Sequence, residues 1–214
     1  RSGISSIRNF LSISWYMRVV YTYRVWMQRD EEILGCYTSR YMTDKYKNFT
    51  ELSTATKNYK IDSRDFDTEF IIVTTDLIAK MIASEKYSYY LFLGGTREQH
   101  ITSSHFDEPK CLELISKAKK VITIHGKKGI DYKVMLGGLD DDLIIKGTSI
   151  LTTNGFEVIP STDNVAGKDK NNICNKGSSG KGLQIEMGKE LRDSLKEDSL
   201  KLKIFSDCIR KTIE

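Results

Sequence analysis

Two short apolar runs in this chain each end in a side chain able to do chemistry. Val121-Ile122-Thr123-Ile124 runs into His125-Gly126, and Leu183-Gln184-Ile185 runs into Glu186. Ligands of open parallel sheets gather outside the carboxyl ends of the strands. A His and a Glu delivered to that edge sketch a metallohydrolase site, with imidazole as metal ligand and carboxylate as the base for metal-bound water. Each residue also has a plain reading: His125 as a hydrogen-bonded core histidine, Glu186 as a cap for the helix containing Leu191. Zinc hydrolysis needs three protein ligands and an open position, and no His-Glu-x-x-His segment occurs. Asn171 to Gly177 offers amides and the cation Lys176, a set suited to a substrate carboxylate but also common in turns.

Periodicity gives the elements that must position these groups. Phe70 to Val73 reads as a β-branched strand, followed by a helix capped by Thr75 or Asp76 with Leu77, Ile78, Met81 and Ile82 on one face. Tyr89 to Leu93 is the next strand, ended by Gly94-Gly95. Pro109 suits the first turn of a helix, with Asp107 and Glu108 at its start and Lys117, Lys119 and Lys120 at its end. After Val121 to Ile124, Tyr132 to Leu136 is predicted as a strand and Gly137-Gly138 as a turn. A helix with Leu143, Ile144 and Ile150 then ends near Gly155. Phe156 to Ile159 is a further strand, and residues 160–182 form a long polar loop of the kind that carries function. Leu183 to Glu186 is the last strand, and residues 199–213 a terminal helix with Leu202, Phe205, Cys208 and Ile209 inward. The alternation predicts an α/β domain with a mixed, mostly parallel sheet and helices on both faces. Residues 1–56, where Tyr, Trp, Met and Arg alternate from Trp15 to Met27 without a clean period, read as an N-terminal extension to a domain at 57–214.

The 214 residues suffice for one domain with a full core. A net charge of +4, evenly spread, argues against nucleic-acid binding and is compatible with a polyanionic ligand. Cys36, Cys111, Cys174 and Cys208 form no CxxC group and are read as reduced; Cys111 and Cys208 fall on apolar helical positions. Cys174, in the long loop, is the one place where a reactive thiol would matter. No uninterrupted apolar segment reaches membrane-spanning length, Phe10 to Met27 being broken by Arg18 and Arg24, so no integral membrane association is expected.

Taken together, these segments resemble the poly-gamma-glutamate hydrolase family of phages and bacilli. The match runs through Tyr87-Ser88-Tyr89-Tyr90-Leu91-Phe92, then from His100 to Pro109, Ile124-His125-Gly126 and Gly137-Gly138-Leu139-Asp140. It ends with Asn172-Ile173-Cys174-Asn175-Lys176-Gly177, Leu183-Gln184-Ile185-Glu186 and Leu191-Arg192. The resemblance implies a zinc-peptidase-like (phosphorylase/hydrolase-like) α/β fold, one zinc ion, and cleavage of poly-gamma-glutamate or another acidic gamma-linked peptide. It implies that His125 is a zinc ligand and Glu186 the carboxylate that activates water. Asn175, Lys176 and Arg192 would then meet substrate carboxylates, and His100 matches a recurrent family histidine. The sequence departs from the family in one place. The family follows its first strand with His-Gly-Gly-x-Ile-Glu, whose His and Glu are the other two ligands. Here Asp67-Thr68-Glu69-Phe70-Ile71-Ile72-Val73 runs straight into Thr74-Thr75-Asp76-Leu77-Ile78, and no histidine precedes His100. Glu69, with Asp65 or Asp67, is the substitute oxygen donor on offer. Two functions follow: zinc-dependent gamma-glutamyl hydrolysis, or an inactive relative that binds the polyanion.

Overall fold

Seven strands build the sheet: β1 (Tyr59–Arg64), β2 (Phe70–Thr74), β3 (Ser88–Gly94), β4 (Lys120–Lys127), β5 (Val134–Gly138), β6 (Val158–Pro160) and β7 (Leu183–Gly188). Among the described residues six α-helices accompany them: α1 (Phe49–Ala55), α2 (Ile78–Ala83), α3 (Pro109–Lys117), α4 (Asp141–Thr153), α5 (Lys189–Glu197) and α6 (Ser199–Ile213). The structure, a computed structural model, describes residues 44–74, 78–162 and 165–214. The expectations for Trp15 to Met27, for Cys36 and for a cap at Thr75 or Asp76 lie outside the described residues. Asp44–Glu214 form one compact unit.

The strand order is β1-β3-β2-β4-β7-β5-β6. Strands β3, β2, β4 and β7 are mutually parallel, β1 joins β3 antiparallel, and β5 runs antiparallel to β7 with β6 parallel to it. The predicted α/β architecture, mixed and mostly parallel with helices on both faces, is the one observed. Ile72, Ile122, Ile124, Ile185 and Met187 pack with residues of α2, α4, α5 and α6 in one core. Ile71, Val73, Tyr90, Phe92 and Val121 pack with α1 and α3 in the other. Side chains at the helix starts meet orphan amides as expected of caps. Glu108 accepts from Cys111 N at 2.7 Å, Asp140 from Leu143 N at 3.2 Å, and Asp198 from Leu200 N and Lys201 N at 3.0 Å each. Asp140 is fully buried and also pairs with Lys120 Nζ at 2.6 Å, tying the start of β4 to α4.

Three local features differ from the sequence reading. Strand β1 was not foreseen, because an edge strand of Tyr-Lys-Ile-Asp-Ser-Arg is half exposed and carries little apolar alternation. Helix α1 inserts just Phe49 and Leu52 into the core, too few for a clear period. Gly137 and Gly138 lie within β5 rather than in a turn. They are needed there because a Cβ on Gly137 would stand 2.4 Å from Ala166 O, and Gly138 has φ +107°.

Candidate functional site

Strands β4 and β7 are parallel neighbours, with Thr123 opposite Gln184, His125 opposite Glu186 and Lys127 opposite Gly188. Alternation sends Ile122, Ile124, Ile185 and Met187 to one face and Thr123, His125, Gln184 and Glu186 to the other. The two residues that the sequence singles out for chemistry are therefore side by side at the carboxyl edge of the sheet. On its other side Glu186 faces Met135 of β5.

His125 Nε2 lies 3.4 Å from Ser103 Oγ, and Ser103 O in turn receives Ile173 N at 3.1 Å. Desolvation, helped by the nearby His100, pushes the His125 pKa down to about 4, so the ring is neutral at pH 7. Glu186 is 7% exposed and accepts a hydrogen bond from Gln184 Nε2 at 3.2 Å. Burial raises its pKa to about 7, against the pull of Lys127 and Arg192. A carboxyl held there can give or take a proton near neutrality.

Arg192, on α5, reaches this edge from the opposite face: a Cβ on Gly126 would come within 2.7 Å of its guanidinium carbon. His100 is at the rim, with Nδ1 2.9 Å from Asp44 Oδ1, while Asp44 Oδ2 accepts from Thr102 N at 2.7 Å. Burial would raise the Asp44 pKa, but the bonds from Thr102 and His100 outweigh it and hold the carboxyl below its ordinary value.

The other sequence candidates fall elsewhere. Asn175 is 3% exposed and its amide is spent on backbone: Nδ2 donates to Gly167 O at 2.7 Å and Asp169 O at 2.9 Å, and Oδ1 accepts from Leu139 N and Gly182 N. It ties the loop together, with no donor left for a substrate carboxylate. Lys176 precedes Gly177, which packs against Lys119 and Lys120 at the amino end of β4. Glu69 directly precedes β2, where Phe70 pairs with Lys120, and its carboxylate meets Lys119 Nζ at 3.4 Å. That is the opposite edge, roughly 16 Å along β4 from His125. Asp65 is bound there to Lys117 Nζ at 2.6 Å. An open cleft of about 520 Å³ at that edge, lined by Asp67, Glu69, Lys117, Lys119 and Ser179 among others, holds neither His125 nor Glu186. Cys174 is buried and desolvation pushes its thiol up to about 12, which removes it as a nucleophile.

The sequence reading did not weigh Gln184 as a site residue. Its amide bridges Val165 O (2.8 Å), Glu186 Oε1 (3.2 Å) and Asn172 Nδ2 (2.9 Å). The signal was available: a polar residue two before Glu186, in a strand covered on both faces.

A zinc site would need a third donor beside His125 and Glu186. Among the described residues no group of three His, Cys, Asp or Glu side chains converges, and His125 Nε2 lies beside Ser103; Asp76, which follows β2, lies outside the described residues. The residues described do not fit a zinc ion.

A family model described as poly-gamma-glutamate hydrolase matches residues 46–204. The chain is 37% identical over 167 residues to the SPbeta prophage-derived UPF0714 protein YoqZ of Bacillus subtilis, covering 70% of this chain and 60% of that protein. It is 34% identical over 179 residues to UPF0714 protein YndL of the same organism, covering 74% and 69%. The chain thus spans less than two thirds of the length of YoqZ. Among solved structures, a zinc-free form of YndL superposes with TM-score 0.72 at 27% identity, covering 80% of this chain and 98% of that one. A bacteriophage poly-gamma-glutamate hydrolase superposes with TM-score 0.75 at 24% identity, covering 80% and 97%.

Proposed function

The chain belongs to the poly-gamma-glutamate hydrolase family, and from that premise we propose that it binds gamma-linked glutamate polymer without zinc-dependent cleavage. The binding edge is the carboxyl end of β4 and β7. The observation that carries this reading is the pairing of His125 with Glu186 in the absence of a third converging donor among the described residues. A metal is fixed by several ligands held together, and two neighbouring donors hold it poorly. The binding side of the site keeps its chemistry. Lys127 and Arg192 supply positive charge around Glu186, and each repeat of a gamma-linked chain leaves one α-carboxylate free to meet such charge.

A second reading, hydrolysis, is favoured by the position of Glu186, buried at the carboxyl edge of the sheet directly opposite His125. Glu186 has a pKa of about 7, which suits a group that exchanges protons at neutral pH. The two readings separate in one experiment: the folded chain is incubated with poly-gamma-glutamate, with added zinc or with a chelator. Polymer length is followed by gel filtration and association by titration calorimetry. Binding without shortening, equal in zinc and in chelator, is the expected result. Shortening that needs zinc and vanishes in Glu186→Gln would overturn it and establish the hydrolase.

A further inference from the structure

The segment that leads from β3 to α3 is fastened on both sides of Ser103. Before it, Asp44 Oδ2 accepts from Thr102 N at 2.7 Å and Asp44 Oδ1 meets His100 Nδ1 at 2.9 Å, while Ile101 is buried. After it, His105 N closes a turn on Thr102 O at 2.8 Å. Asp107 Oδ1 then accepts from Phe49 N at 2.7 Å, and the buried Phe106 ring packs against Phe49, Tyr90 and Phe92. Ser103 itself is tied through its carbonyl, which accepts from Ile173 N at 3.1 Å. None of these bonds uses the Ser103 side chain.

What this frame presents to the carboxyl end of β4 is the Ser103 hydroxyl. Its Oγ lies 3.4 Å from His125 Nε2, at the long limit of a hydrogen bond, and bonds no other group among the described residues. A hydroxyl has one donor and two acceptor positions, so a single long contact leaves most of that capacity open. Ser103 and His125 are half-buried, each keeping part of its surface exposed. The other polar groups of the edge have different employments. Lys127 and Arg192 bring positive charge toward Glu186, and the Gln184 amide is engaged by Val165, Asn172 and Glu186. Positive charge attracts any polycarboxylate and does not read the bond that links its repeats.

We infer that Ser103 recognises the amide linkage of the gamma-linked polymer, its hydroxyl exchanging the contact with His125 for a hydrogen bond to that amide. This rests on the polymer-binding reading above. It adds to that reading a residue that separates an amide-linked polymer from other polyanions. A neutral hydroxyl suits a neutral amide, since it can accept from the N–H or donate to the carbonyl. The long contact with His125 is a weak one to give up. The fastened backbone holds the hydroxyl in place beforehand, so little freedom is lost when the polymer arrives.

The test is calorimetric titration of two polymers of matched length into the full chain: poly-gamma-glutamate, and polyacrylate, which carries carboxylates without amides. Ser103→Ala is expected to bind poly-gamma-glutamate about three- to tenfold more weakly, the loss of one hydrogen bond. The factor is expected to be the same at low and at high salt, since no charge is removed. Toward polyacrylate the variant and the unmodified chain are expected to behave alike. Ser103→Thr keeps the hydroxyl and is expected to recover most of the affinity. Unchanged binding of poly-gamma-glutamate by Ser103→Ala, or an equal loss toward both polymers, overturns the inference while leaving polymer binding in place. If polyacrylate binds neither protein, Ser103→Thr decides, and a loss as large as that of Ser103→Ala overturns the inference. Failure of the unmodified chain to bind poly-gamma-glutamate at all overturns the reading beneath it.

Discussion

Beneath α2, α4, α5 and α6, strands β4 and β7 present Ile122, Ile124, Leu183, Ile185 and Met187, all buried and all apolar. On the opposite face the same two strands present Thr123, His125, Gln184 and Glu186, with Gln184 bonded to the loop that follows β6 and His125 beside Ser103. Thr123, Gln184 and Glu186 are buried and His125 is half-buried, so folding would be served by apolar residues at most of these positions, as in an ordinary parallel sheet. Polar groups under cover cost free energy unless they are hydrogen-bonded. Here the bonding is uneven: the Gln184 amide is fully engaged, whereas Glu186 is desolvated enough to raise its pKa to about 7. One face thus makes the sheet, and the other carries a stripe that the sheet tolerates.

The contrast is broken most forcefully from its apolar side. Phe205 of α6 is fully buried and meets Phe156 edge-on, with ring centroids 5.1 Å apart. Phe205→Ala is expected to cost about 3–5 kcal/mol, read from the urea midpoint. Polymer affinity of the remaining folded protein is expected to be unchanged. A loss of affinity at constant folded fraction would mean that the two faces are not separable.

The polar stripe makes a subtler prediction, because its two ionisable members oppose one another. Glu186 has its pKa raised from 4.5 to about 7, so its contribution is full at low pH and is lost as pH rises through 7. His125 has its pKa lowered from 6.5 to about 4, so its contribution is present above 6.5 and is lost as pH falls through 4. Each is worth about 3 kcal/mol at most, and between pH 4.5 and 6.5 their slopes nearly cancel. In Glu186→Gln, stability is expected to climb with pH across that window; in His125→Gln it is expected to fall. Urea unfolding at a series of pH values reads both. Parallel curves in the two variants would sink the assignment of opposite shifts.

Much of this was legible in the chain. The apolar periods of α3, α4 and α6 located those helices, and the runs ending at His125 and Glu186 located the edge, because burial and the period of 2 leave direct marks on sequence. Partnership across long separations left none. Nothing in Asn175 itself says that its amide bonds the backbone of Gly167, Asp169, Leu139 and Gly182, which is why it read as a substrate contact. Asn175→Ala would strand those buried groups and is expected to cost about 2–3 kcal/mol in thermal or urea unfolding. A cost under about 0.5 kcal/mol would show that the loop rests on Gln184 alone.

Glu69 supplies the smallest effect and the sharpest check on which edge matters. In sequence it stands immediately before β2, where a substitute metal ligand would be sought once the family's His-Gly-Gly segment is missing. In the sheet that same position is its defect, since the carboxyl ends of parallel strands lie together and a residue preceding β2 belongs to the amino ends. Its side chain is exposed and reaches Lys119 Nζ at 3.4 Å, an ion pair in solvent. Such pairs contribute between nothing and about 1 kcal/mol. Glu69→Ala is accordingly expected to change stability by less than about 0.5 kcal/mol and to leave polymer affinity and metal content as they were. If instead the variant lost bound metal, measured by elemental analysis after dialysis, the amino edge would hold chemistry of its own. The carboxyl edge would then no longer account for the function.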